Sequence, residues 1–166
     1  KRSLSRHSTG LYLLPHPVQI EDSSLIRQDH ISRVLSLLRM TFTHLILDLS
    51  KAYQPMDFVS MQLADEILLI TQLDVSSLRN VVRIMLSLNE REGLEQKVRV
   101  IANRVGSGDN EISIPKAEET IGRPILCRIP NDSRTMLASR NSGVPLVVYA
   151  PKSGLYRSIQ IGRAHV

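Results

Sequence analysis

Short apolar runs and amphipathic stretches take turns along this chain, with only a few residues between them. Such alternation predicts right-handed βαβ crossovers and a mainly parallel sheet. The stretch "FTHLILDLS" (42–50) sets the pattern. Leu45, Ile46 and Leu47 follow one another without a polar break, as expected of a strand covered on both faces. Further strands are expected over "GLYLLP", "DEILLITQ", "KVRVIANRV" and "PILCRIP", the first after a polar loop, "KRSLSRHSTG". A helix is expected over "RQDHISRVLSLLRM", where Ile31, Val34, Leu35 and Leu38 share one face, and another over "PMDFVSMQLA", whose Pro55 suits a first turn. "DVSSLRNVVRIMLSLNEREG" and "DSRTMLASRNSG" open on the capping acids Asp74 and Asp132 and stop by Gly93 and Gly143, while the short "SIPKAEETIG" ends at Gly122. The expected class is α/β: a doubly wound, mainly parallel sheet with helices on both faces, in one domain.

Composition narrows the function. Aromatics make up 4% of the 166 residues and tryptophan is absent, so the core must be aliphatic. The net charge of +5 is spread along the chain and gives little attraction for nucleic acid, which is not expected as a partner. Cys127 is the only cysteine, so an internal disulfide is excluded and a reducing, cytoplasmic setting fits. His7, His16, His30, His44 and His165 show no metal-ligand spacing. No apolar run approaches the roughly 20 residues of a spanning helix. The last six residues, "IGRAHV" (161–166), match the translation of a sequencing adapter, so the natural domain is expected to span 1–160.

Four expected strands end in polar residues: Asp48, "TQLD" (71–74), Asn103 with Arg104, and "PND" (130–132). In a doubly wound sheet the carboxyl ends of the strands line the crevice where ligands bind. Each residue alone is equally a turn or cap residue; Asp48 divides evenly between a ligand or metal role and an N-cap. "VGSGDN" (105–110) lacks the third glycine and the Gly-Lys-Ser/Thr ending of a phosphate loop and reads as a turn, and no Walker A sequence occurs in the chain. No Ser-His-Asp arrangement is favoured by spacing.

The segments "SRHSTGLYLLPHP", "FTHLILDLS", "ADEILLITQLDVSSLRN", "VIANRV" and "GRPILCRIPNDSRTMLASRNSGVPL" together resemble the later part of the MinD/ParA family of deviant Walker ATPases. "LITQLDVSSLRN" is similar to the CpaE/TadZ branch, which serves Flp (tight-adherence) pilus assembly. The resemblance implies a P-loop NTPase-like domain, truncated at its N-terminus and lacking the phosphate-binding loop, with ATP and Mg2+ as cofactors. It implies that Asp48 is the Walker B acid, acting on Mg2+ through water, as suits a cation that keeps its hydration shell. Asn103 is implied at the adenine edge, followed by Arg104, with Pro130, Asn131 and Asp132 in the loop passing over the base. Implied partners are a second copy, through ATP, and the pilus secretion machinery; the membrane would be met peripherally, at the inner face or cell pole. Ser50 and Ala52 replace the proline and glycine of the family's Asp-x-Pro-x-Gly segment, so hydrolysis by the intact protein stays open. Two alternatives also stay open. One is a non-hydrolysing dimerisation and docking scaffold; the other is a ParA-like DNA-partition ATPase using Arg79 and Arg83, one helical turn apart, although a solvated face is the favoured account of those arginines.

Overall fold

The computed structural model describes residues 4–15, 25–50 and 54–163, with side chains described to residue 160. His16, Ala52 and His165 therefore lie outside the described residues. The chain forms two compact units, Lys1–Leu63 and Ala64–Val166.

The second unit carries the parallel sheet. Strands β3 (Ile67–Thr71), β4 (Val98–Val105) and β5 (Ile125–Pro130) lie in that order, each parallel to the next. Helices α3 (Val75–Asn89) and α4 (Leu94–Lys97) join β3 to β4, and α5 (Ile114–Ile121) joins β4 to β5. Strand and helix lengths fall where the apolar periods change, as βαβ connections require. Leu69 and Thr71 of β3 pair with Val100 and Ala102 of β4, and all four are buried. The largest fully enclosed side chains are Leu78 and Leu88 of α3, Leu94 of α4 and Val100, so the core is aliphatic as the composition demands. On the opposite face of β3, Leu68 and Ile70 are 49% and 58% exposed, so buried and exposed side chains alternate along this strand.

Caps set the helix ends. Asp74 accepts from the Ser77 N–H at 2.9 Å and from the Ser76 and Ser77 hydroxyls at 2.6 and 2.7 Å. Asp132 accepts from the Thr135 N–H at 3.0 Å to open α6 (Ser133–Ser142), which closes on Gly143 at φ +66°. Two further helices, α7 (Leu146–Tyr149) and α8 (Gly154–Arg163), have no counterpart in the sequence reading. Helix α8 packs on β5, burying Leu155, and the Cys127 thiol donates to the Ser158 carbonyl at 3.4 Å.

The first unit holds helices α1 (Gln28–Arg39) and α2 (Pro55–Leu63), packed on one another where expected, and a small antiparallel pair, β1 (Ser5–Arg6) with β2 (Tyr12–Leu13). The pair corrects two expectations: part of the polar stretch before Gly10 forms a strand, and "GLYLLP" closes a hairpin with it. Gly10 takes the left-handed turn, at φ +89°, that lets the chain reverse. Only Leu35 of the proposed α1 face is fully buried, while Val34 is exposed.

The larger correction concerns residues 42–50, which form no strand. Ile46 is 91% exposed. A strand needs a neighbour to take its N–H and C=O groups, and no ladder pairing among the described residues includes this run. Leu45–Leu47 are apolar, and none of the three has a ladder partner among the described residues.

Candidate functional site

Parallel strands bring all their carboxyl ends to one edge, and here β3, β4 and β5 deliver Gln72–Asp74, Asn103–Arg104 and Pro130–Asp132 side by side. Main-chain bonds stitch the three turns together. The Ile112 N–H donates to the Leu73 carbonyl at 2.8 Å, and the Asn131 N–H donates to the Val105 carbonyl at 2.8 Å. The fourth expected member, Asp48, belongs to the other unit and lies off any strand. Its carboxylate is exposed and makes no hydrogen bond or ion pair among the described residues.

The tip of β4 is irregular. Ala102 pairs with Arg128 and Val105 with Pro130, so Asn103 and Arg104 together face Ile129 alone: a bulge. Arg104 sits at φ +58°, the one non-glycine residue with positive φ among the described residues. That conformation costs an L-residue on the order of 1 kcal/mol. The Arg104 N–H donates to Asn103 Oδ1 at 3.0 Å, and the half-buried Asn103 keeps its amide nitrogen without a hydrogen bond among the described residues. The Arg104 guanidinium is exposed.

The remaining residues at this edge have structural duties. Asp132 is the α6 cap, and its bonds to Thr135 hold its carboxyl below the usual range. Asn131 accepts from the Ser133 hydroxyl at 3.2 Å through Oδ1, and Pro130 ends β5 half-buried. The glycine-rich turn after β4 is closed by a carboxylate that sequence reasoning missed. Glu111 accepts from the N–H groups of Gly106 and Ser107 at 2.9 and 2.6 Å and from the Ser107 hydroxyl at 2.7 Å. These bonds, the hydroxyl first, depress its pKa. The Gly106 and Ser107 N–H groups are thus already satisfied from within the turn. A glutamate a few residues beyond Gly-Ser was the available signal. A cavity of about 230 Å³ lies between this turn and Gln72–Asp74.

Asp57 was also missed. It is buried in the first turn of α2, accepting from the Ser50 hydroxyl at 2.7 Å, the Ser50 N–H at 3.4 Å and the Gln54 N–H at 2.7 Å. An acid two residues after Pro55 is the pattern that marks it. Asp57 therefore ties down the chain just after Asp48.

For a magnesium-nucleotide, the described residues offer a fit at two points. Within the first unit, the exposed Asp48 carboxylate, unpartnered among the described residues, suits a hydrated cation; within the second, the half-buried Asn103 carboxamide, whose nitrogen is unpartnered among the described residues, suits a base edge. No group of three or more His, Cys, Asp or Glu among the described residues lies together to hold a bare metal, and no described helix is long and apolar enough to cross a membrane.

No family model and no curated protein matches the chain. Solved structures do. A ParA family ATPase from Chlorobium tepidum is 26% identical over 96% of this chain and 64% of its own, with a TM-score of 0.87. The septum site-determining protein MinD from Pyrococcus horikoshii, solved with Mg-ADP, is 22% identical over 98% of this chain and 67% of its own, at 0.82. The cell division ATPase MinD of Pyrococcus furiosus is 23% identical at 0.81, covering 97% of this chain and 68% of its own. The chain spans about two thirds of the length of these proteins. With its parallel sheet flanked by helices, it shares the fold of the ParA and MinD ATPases.

Proposed function

We propose that this chain is part of the ATP-binding domain of a CpaE-like ATPase that positions a pilus secretion machine in the cytoplasm, at the inner membrane or cell pole. The observation that carries the nucleotide reading is Asn103, half-buried at a bulged strand end, with its carboxamide oxygen engaged and its nitrogen open. An amide donor held there meets the unprotonated ring nitrogen of adenine, whereas guanine presents an N–H at the matching position. Mg2+ bound with ATP would neutralise phosphate charge; Asp48 would be the residue to hold it, and Pro130, Asn131 and Asp132 would contact the base. The Mg-ADP complex of the MinD neighbour supports the cofactor choice, and the MinC:MinD complex of Aquifex aeolicus supports a fold that works through protein partners. A second copy bound across ATP belongs to the same proposal. Pilus function rests on the "LITQLDVSSLRN" resemblance.

A non-hydrolysing scaffold is the second reading. It draws on Ser50, which stands where the family carries proline and is bound to Asp57.

Competition binding on the full-length protein tests the first reading. Asn103→Ala should weaken Mg-ATP about tenfold and narrow its advantage over Mg-GTP, the cost of an unsatisfied polar partner. An unchanged ratio removes Asn103 from the site. Asp48→Ala should leave the melting temperature in place while reducing the magnesium dependence of binding. By itself the 166-residue chain should bind Mg-ATP weakly, since its sequence holds no Walker A loop to cradle phosphate; micromolar affinity by calorimetry would contradict this.

A further inference from the structure

We propose that Arg104 is a positioning residue that acts through its main chain rather than its guanidinium, holding the Asn103 carboxamide at the carboxyl edge of the sheet. Three observations converge on it. Arg104 alone among the described non-glycine residues is left-handed, at φ +58°. It occupies a bulge where two residues of β4 stand against one of β5, and no ladder pairing includes Asn103 or Arg104. The N–H thus released from the ladder donates to Asn103 Oδ1 at 3.0 Å. Its side chain is exposed and makes no hydrogen bond or ion pair among the described residues.

The conformation is imposed from both sides. Before the bulge, Ala102 is wholly buried and registered with Thr71 and Arg128; after it, Val105 pairs with Pro130 and accepts from the Asn131 N–H at 2.8 Å. Two fixed anchors with one residue too many between them leave the chain to fold the excess into a single left-handed step. The consequence falls on Asn103. With its oxygen engaged by the next N–H, the carboxamide presents its nitrogen as a donor, the arrangement that discriminates a ring nitrogen from a ring N–H. The role in recognition rests on the nucleotide reading above; the backbone device does not.

Two substitutions separate main chain from side chain, because both delete the guanidinium and only one tolerates the left-handed region at no cost. In the 166-residue chain, Arg104→Gly should melt at or above the parent temperature, and Arg104→Val below it. Arg104→Ala, intermediate in its tolerance, keeps the series readable should the valine variant not fold. The Asn103 side-chain amide resonances should stay at their parent shifts in the glycine variant and move in the alanine and valine variants. In the full-length protein, competition between Mg-ATP and Mg-GTP should lose about tenfold more of the ATP preference in Arg104→Val than in Arg104→Gly. Equal losses of ATP preference in all three variants would assign the guanidinium to the ligand and overturn the proposal, as would a valine variant with parent melting and parent Asn103 resonances. If the melting and resonance series holds while the parent protein shows no preference for ATP, the backbone device stands and the nucleotide reading falls.

Discussion

"HLIL" in the first unit and "ILLI" in the second are nearly the same word, yet they meet different ends. In β3 the run pairs along its length with β4, burying Leu69 beneath α3. Over residues 44–47 the run has no ladder among the described residues, and Ile46 is 91% exposed. The contrast separates two properties that hydrophobicity plots merge. Apolarity makes a segment seek cover, but only a neighbour offering N–H and C=O groups makes it a strand.

The comparison breaks most easily in the core. Leu78→Ala, in α3 beneath the sheet, should cost roughly 2–5 kcal/mol by denaturant unfolding, since one of the most enclosed side chains leaves a cavity. If Ile46→Ala costs as much, residues 42–50 are paired in solution after all. The next effect sharpens the contrast on the side of the unpaired run. Asp57→Ala strips acceptors from Ser50 and Gln54 in a buried turn and should cost about 2 kcal/mol. A loss below a few tenths would mean that the chain after Asp48 is not tied to α2.

Asp74 gives a smaller effect with a pH signature. The hydroxyls of Ser76 and Ser77, with the Ser77 N–H, hold its pKa at about 2 against an ordinary 3.8. As pH falls the unfolded chain takes up the proton first, so this cap's contribution is complete above 3.8 and drains away towards 2. Asp74→Ala should cost about 1 kcal/mol at neutral pH and flatten that acid limb of the stability curve. An unaltered limb would show that other carboxylates govern it. The smallest expected change is the control: Ile46→Ala should stay within about 0.5 kcal/mol of the parent, as exposed positions do.

What could be read from the sequence follows the range of the forces involved. Helices α3, α5 and α6 and strands β3, β4 and β5 were legible because period, cap and glycine stop agree within each segment. Asp74 and Asp132 announced themselves as caps, and the three strand ends of the second unit meet as their parallel direction requires. The rest depended on partners distant in sequence or on conformations that no residue type advertises. The missing ladder at residues 42–50 is a non-local fact. Helix α8 is carried by a sparse pattern, Leu155 and Ile159, and only its packing on β5 defines it. The left-handed step was hidden because arginine is a residue that ordinarily avoids it, whereas glycine would have advertised it.

Glu111 has a consequence for how the edge behaves in different buffers. A loop that supplies its own anion is indifferent to dissolved phosphate or sulfate as long as the carboxylate stays ionised, because any such ion must displace a tethered competitor whose local concentration it cannot match. Its order is therefore governed by acidity and scarcely by salt, and the Gly106 and Ser107 amide protons should lose their protection against exchange only when Glu111 takes up a proton.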